Sequence, residues 1–149
     1  VPDASLGSRY SSSAQSPGLA LWHVTNRWQA VMRAALAPHG LTHVQYVLLA
    51  SLVWLHSVEP DRQMTQAALA EHTATDVMMT SQVLRALEAK GMVERARHPG
   101  DGRARILRPT PRGILAARAA TGDVEAADAS FFGRLPELGA FTDALNLLS

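Results

Sequence analysis

Eight basic residues stand between positions 85 and 112, Arg85, Lys90, Arg95, Arg97, Arg103, Arg105, Arg108 and Arg112, against three acids, Glu88, Glu94 and Asp101. The stretch carries +5, and the six basic and ten acidic residues elsewhere leave the remainder of the chain at −4. A near-neutral protein that gathers its positive charge in one place has the footprint of a surface that meets phosphate. Arginine suits that task, because its planar, permanently charged guanidinium matches paired oxygens and is drawn into a narrow minor groove. Just ahead lies a set with different chemistry: Thr75, Met78, Met79, Ser81, Gln82 and Arg85. Thioether methyls can touch thymine methyls, the amide can pair with an adenine edge, the hydroxyl suits base edges or phosphate, and the guanidinium suits guanine or phosphate. The plainer alternatives are methionines tilted into a core or dimer contact and a solvated hairpin tip whose surface ion pair contributes only about 0 to 1 kcal/mol.

These residues act together only if the backbone orders them. Thr75-Asp76 reads as a capping residue followed by an acid in the first turn, and Gly91 suits the left-handed position that ends a helix, so a helix is predicted between them. On a wheel of about 100° per residue, Val77, Thr80, Val83, Leu84 and Leu87 fall on one side. Thr75, Met78, Met79, Gln82, Arg85 and Ala89 fall opposite or flanking, with Ser81 at the boundary. Upstream, Thr65 can cap a short helix holding Leu69 and Ala70, and His72-Thr73-Ala74 makes a tight connection, which together form a helix-turn-helix candidate. Downstream, Met92 to Arg97 and Arg103 to Arg108 flank the turn-rich His98-Pro99-Gly100-Asp101-Gly102, predicting a basic hairpin. Arg97, Arg103 and Arg105 offer nucleic-acid contacts there. Asp101, which phosphate would repel, is expected to pair with an Arg of the ribbon and brace the loop.

The surrounding chain reads as helices. Ser16-Pro17 starts one that runs to about Leu36, with more apolar positions than one stripe requires, so a second chain is expected against it. Thr42 and Gln45 have capping-box spacing and open a helix to about His56 that is nearly apolar all round. Thr110-Pro111 starts a long Ala-rich helix to about Phe132, and a last helix from Glu137 to Leu148 follows the Leu135-Pro136 break. Residues 1–16, without helical periodicity, read as a flexible arm or an expression remnant.

At 149 residues, 47% apolar and 18% charged, the chain fits one folded domain. The absence of cysteine excludes disulfides, thiolate zinc sites and thiol redox sensing, and fits a cytoplasmic protein. Its most apolar run, Val44 to Leu55, is far short of the roughly 20 residues a membrane span requires, so no membrane partner is expected. No phosphate loop, nucleophile elbow or paired-carboxylate signature argues for an enzyme. The six histidines lack metal-ligand spacing, so neither metal nor cofactor is expected.

The order of these motifs resembles the MarR family of bacterial winged helix-turn-helix regulators. The residues that carry the resemblance are Leu41-Thr42 and Gln45, Thr65-Gln66 with Leu69-Ala70, and Leu84 to Val93 closing the second helix of the motif. Asp101, Arg103 and Arg105 in the wing and Thr110-Pro111-Arg112-Gly113 complete it. The resemblance spans roughly Leu19 to Leu148, and departs from the common pattern at Met78-Met79. It implies a mainly α fold with a small β-hairpin wing: a winged helix-turn-helix lobe over about 42–109, and a helical dimerisation region over about 17–38 and 110–149, within one domain covering 17–149. It further implies a homodimeric repressor on a palindromic operator, with Met79, Ser81 and Gln82 facing bases and Arg103 in the minor groove. A small aromatic or phenolic effector is expected, with Trp22, His23, Asn26, Arg27, His43 and Tyr46 as candidate lining residues. A dimeric winged-helix scaffold or ligand-binding module without operator specificity is the alternative reading.

Overall fold

The computed structural model describes residues 5–149, and the first four residues of the expected arm lie outside them. In chain order the described residues form α1 (Pro17–Leu36), α2 (His43–Val58), α3 (Gln66–His72), α4 (Val77–Ala89), β1 (Val93–His98), β2 (Asp101–Pro109), α5 (Pro111–Phe132) and α6 (Leu138–Asn146). The described part of the arm is not featureless: Ser13–Gln15 makes a 3-10 turn, and the Gln15 side-chain oxygen accepts from the Ser11 hydroxyl at 2.6 Å.

Side-chain caps fix most of the helix starts. Ser16 accepts from the Leu19 amide, Thr65 from Ala68 and Thr110 from Gly113, while Thr42 and Gln45 form the full reciprocal box that opens α2. Each such cap stabilises its helix by about 1 kcal/mol, by giving a partner to an amide that has none within the helix. The expected cap of α4 is shifted by one residue. Asp76, not Thr75, stands at the N-cap, and its carboxylate accepts from the Met79 amide at 2.9 Å.

The helix α2 runs through the centre, burying Leu48, Leu49, Leu52 and Leu55. Around it pack Met32 and Leu36 of α1, Leu69 of α3, Leu84 and Leu87 of α4, Leu107 of β2, and Ala117, Ala120 and Val124 of α5. At about 1.5–3 kcal/mol for each fully buried large aliphatic side chain, this cluster is the main source of stability. In α1 only Met32 and Leu36 are fully covered, so most of the surplus apolar surface read from the sequence stays open in a single chain. Among the described residues no single helix is long and apolar enough to cross a membrane.

The hairpin is tighter at its tip than its turn-rich sequence implies. The strands pair antiparallel from Val93↔Pro109 to Arg97↔Arg105, then shift register so that His98 faces Asp101. Gly102, Arg103 and Ala104 are thereby displaced out of the regular ladder as an irregular bulge, a device that re-aims side chains at a sheet edge. At its base the hairpin is fastened to the helical motif: the Leu107 amide donates to the Met64 carbonyl at 2.8 Å, and Thr65 bridges to Ile106.

The joint between hairpin and α5 explains the Thr-Pro-Arg-Gly sequence. Thr110 caps α5, donates its hydroxyl to the Gly91 carbonyl at 2.6 Å, and donates its amide to the Met92 carbonyl at 3.1 Å. Gly91 itself ends the preceding helix at φ +68°, where a Cβ would be strained. A Cβ on Gly113 would lie 2.0 Å from the Met92 carbonyl oxygen, so the backbone of α5 sits on the chain leaving α4 with no room for a methyl. Gly113→Ala is therefore expected to destabilise by about 1–3 kcal/mol or more in thermal or urea unfolding, because backbone must move to admit the methyl. Gly122→Ala, the same exchange in the same helix with nothing within 4 Å of the new methyl, should melt at or above the parent temperature; equal effects of the two would refute the close contact.

Candidate nucleic-acid interface

Four threonine and aspartate side chains set the angle of α4. Thr80 is fully buried and donates to the Asp76 carbonyl at 2.8 Å, and Thr73 donates to the Leu69 carbonyl at 2.8 Å. The Thr75 hydroxyl lies 2.8 Å from both of their hydroxyl oxygens. A carbonyl only accepts, so these four short contacts share three protons and one of them always lacks its proton. Thr75 is the hinge of this chain, since its single proton has two destinations. The network also holds Ala74 at φ 51°, a left-handed conformation that costs a non-glycine residue about 1–2 kcal/mol. Thr75, read from the sequence as a cap and a DNA contact, is thus committed to the turn.

Packing divides the rest of α4 into three stripes. The outward stripe is Met78, Gln82, Arg85 and Ala89, at successive spacings of four, three and four, and Met78 is the most open at 76% exposure. A second flank faces the hairpin. It carries Val77, half-buried Ser81 and Glu88, whose carboxylate pairs with Arg95 Nε of β1 at 2.9 Å. The third flank, Met79, Val83, Ala86 and Lys90, faces α1 and α2, and Lys90 Nζ donates to the Gly40 carbonyl at 2.6 Å and to Gln45 Oε1 at 2.9 Å. One assignment of the wheel is corrected by this. Val77, expected inside, is 54% exposed, because it lines an open groove between the start of α3 and the hairpin instead of entering the core. Met79, which the resemblance implies would face bases, is 39% exposed and lines the cleft with α1 and α2.

The hairpin contributes the cations. Arg97 and Arg103 are exposed and Arg105 is half-buried, while Arg95 is neutralised by Glu88. Asp101, expected to pair with an Arg of the ribbon, instead accepts from the Arg103 amide through Oδ1 at 2.9 Å, an Asx turn at the bulge. Between the bulge and the helical motif lies an open groove of about 420 Å³, walled by Thr65 and Gln66 on one side and Arg103 and Arg105 on the other, with Val77 at its base. The arrangement presents a helix stripe of hydrogen-bonding and apolar groups beside a cationic hairpin, which suits a duplex whose bases are read from a groove while its backbone meets Arg.

The six residues considered for an effector are not brought together. Trp22, 66% exposed, and Asn26, whose amide donates to the Trp22 carbonyl at 2.8 Å, lie on one stripe of α1, with His23 and Arg27 exposed on other sides. Tyr46 bonds Thr121 Oγ1 at 3.2 Å and lines a separate groove against α5. Only His43 lines the larger cleft, of about 670 Å³, between α1, α2 and the start of α4. Its other walls include Gln29, Arg33, Val44, Val47, Thr75 and Met79. Gln29 and Arg33 continue the Trp22–Asn26 stripe by one and two turns, a periodicity that could have found them. His43 packs edge-on against Trp28, whose ring nitrogen donates to Asp128 at 2.7 Å. Burial pushes the His43 pKa below 6.5, opposed by the charge of Asp128 and reinforced by Arg33. Among the described residues no group of three or more His, Asp or Glu side chains gathers to hold a metal ion.

Residues 41–104 match the MarR family profile. The chain is 38% identical over 141 residues, 95% of each chain, to the uncharacterized HTH-type transcriptional regulator YdcH of Bacillus subtilis (strain 168). Similarity also extends to the Mycobacterium tuberculosis MarR family protein Rv2887, solved in complex with DNA, with a TM-score of 0.66 at 30% identity over 90% of this chain and 98% of that one. The fold is shared with Bordetella bronchiseptica BpsR, at a TM-score of 0.82 and 23% identity over 95% and 97% of the two chains. Joined to the helix stripe and its basic hairpin, this whole-length similarity means that the chain belongs to the MarR family of winged helix-turn-helix transcriptional regulators, DNA-binding proteins and not enzymes.

Proposed function

We propose that the protein is a homodimeric repressor that grips a palindromic duplex with two α4 helices and two wings, and lets go when a small aromatic acid enters the cleft beneath α4. The observation that carries this reading is the outward stripe of α4 beside the displaced tip of the wing. Met78, Gln82 and Arg85, with Ser81 at their edge, meet base edges in the major groove, and Arg103 enters the adjacent minor groove while Arg97 and Arg105 contact phosphate. The regulator works in the cytoplasm, where such a duplex is found.

Dimerisation through residues 17–38 and 110–149 is supported by what a single chain leaves uncovered. The helix α6 has nine residues, none buried, and an isolated helix that short is unstable in water. With Leu138, Leu145, Leu147 and Leu148 exposed at the C-terminal end and Leu19, Leu21 and Val24 exposed on α1, a second copy is the natural cover. A two-fold axis then sets the two α4 helices about 34 to 36 Å apart, one turn of DNA.

The effector reading rests on the cleft of Gln29, Arg33, His43, Val47 and Met79, mostly apolar with a few polar groups. BpsR, of the same fold, has DNA binding regulated by 6-hydroxynicotinic acid. A ligand carboxylate here pairs with Arg33, which is charged at any physiological pH, while the depressed pKa of His43 keeps its ring neutral near pH 7.

Two measurements test this. Arg103→Ala should weaken binding to a duplex by about tenfold and make the slope of log affinity against log salt shallower by about one, read by fluorescence anisotropy; an unchanged affinity and slope would remove the wing from the interface. The His43 environment gives a pH dependence. Its folded pKa lies below 6.5, so as pH falls through that value the unfolded chain takes up the proton first and stability declines. His43→Gln should flatten this acid-side decline in melting temperature, whatever its offset at neutral pH, and a parallel profile would show that His43 is not buried as described.

A further inference from the structure

From residue 59 to residue 114, a span that holds the helix-turn-helix and the wing, every exposed large apolar side chain lies in one turn of helix. They are Val77, Met78 and Met79, at 54%, 76% and 39% exposure. The fourth residue of that turn, Thr80, is buried and donates its hydroxyl to the Asp76 carbonyl. From Val77 to Thr80, α4 therefore presents no exposed side chain that can hydrogen-bond, and the first such groups are Ser81 and Gln82. The polar groups ahead of it are engaged in the turn: Thr75 with the hydroxyls of Thr73 and Thr80, and the Asp76 carboxylate with the Met79 amide. A recognition helix contacts base edges with its N-terminal residues. The part of α4 that reaches the bases first thus has only apolar side chains to read them with.

The major-groove edges of the four bases carry donors and acceptors, and a single apolar group, the C5 methyl of thymine. We propose that the first turn of α4 is a C5-methyl reader, in which Met78 seats against the methyl and Val77 closes the side toward the wing. The proposal rests on the DNA reading above and adds to it the identity of one base pair in each half-site. Met78 is suited to the contact, since an unbranched, polarizable thioether on the outward stripe adapts its shape to a small methyl. Val77 is placed to flank it, at the base of the groove that Arg103 and Arg105 wall on the hairpin side. Met79 lines the cleft with α1 and α2 and takes no part. Such a reader follows the methyl and not the base. It rejects uracil, which is thymine without the methyl, and accepts 5-methylcytosine, which carries the same methyl on the same ring carbon. A site with C·G in place of T·A is then bound only when its cytosine is methylated.

The probe is a labelled duplex enriched by the protein from a random DNA pool. Each thymine is replaced in turn by deoxyuridine, symmetrically in both half-sites, which removes a methyl and leaves every hydrogen-bonding group in place. At one position the exchange should weaken binding by about fourfold for each methyl, or about fifteenfold for the pair, in anisotropy titrations. Cytosine at that position, paired with guanine, should bind at least as weakly as uracil, and 5-methylcytosine should return affinity to within about threefold of thymine. Met78→Ala, a change at an exposed position of a capped helix, should bind the thymine and uracil duplexes alike. The methyl reader is overturned by an enriched duplex that tolerates uracil at every position, by 5-methylcytosine bound no better than cytosine, or by a Met78→Ala protein that keeps the thymine preference. Each of those results leaves sequence-specific binding standing. A pool from which no sequence is enriched overturns the DNA reading and the methyl reader together.

Discussion

The carbonyl of Met92 is the contact on which the rest of the molecule turns. It receives the Thr110 amide at 3.1 Å and lies so close to Gly113 that a methyl there would stand 2.0 Å away. The segment leaving α4 and the start of α5 are thereby locked face to face, with Thr110 closing the joint through the Gly91 carbonyl. Since β2 is tied near this same end, through Leu107 and Ile106, to Met64 and Thr65, the wing, the helix-turn-helix and the long helix α5 share one origin. A protein that must present a helix to DNA at a fixed angle needs such a joint, because an error of a few degrees there is magnified along α4.

Rigidity at the C-terminal end of α4 contrasts with the arrangement at its start. Lys90, Gly91 and Met92 are held by backbone and charge-assisted bonds, whereas the first turn depends on a cap, a left-handed alanine and a hydroxyl chain with one proton fewer than its contacts. The three stripes of α4 follow from these neighbours. Glu88 is drawn toward the wing by Arg95 and Lys90 toward α2 by Gln45, which fixes the helix rotation and leaves Met78, Gln82 and Arg85 outward. Several of the basic residues that gave the segment its charge are consequently structural. Arg95 and Lys90 orient the helix, while Arg85, Arg97 and Arg103 stay exposed.

Local chemistry made much of this legible in the sequence. Ser16, Thr42, Thr65 and Thr110 each act within three residues along the chain, so the starts of α1, α2, α3 and α5 could be read directly. The order of elements and the outward face of Gln82 and Arg85 followed from periodicity. What could not be read depends on residues far apart. Val77 is exposed and Met79 turned aside because of which neighbours flank α4, and Thr75 loses its cap to Asp76 because Thr73 and Thr80 claim its hydroxyl. The partner of Asp101 is a backbone amide beside the register shift and not an Arg side chain. The proposed aromatic lining scattered for the same reason: Tyr46 and Trp22 are on different faces of the bundle from His43.

Regulation by this protein requires that α4 and the wing read a particular duplex. Selection of bound fragments from a random DNA pool tests it most directly. The bound pool should be enriched in a palindrome whose half-sites are centred about one helical turn apart, with affinity falling as salt rises. Recovery of no preferred sequence, at any salt that permits binding, would contradict it.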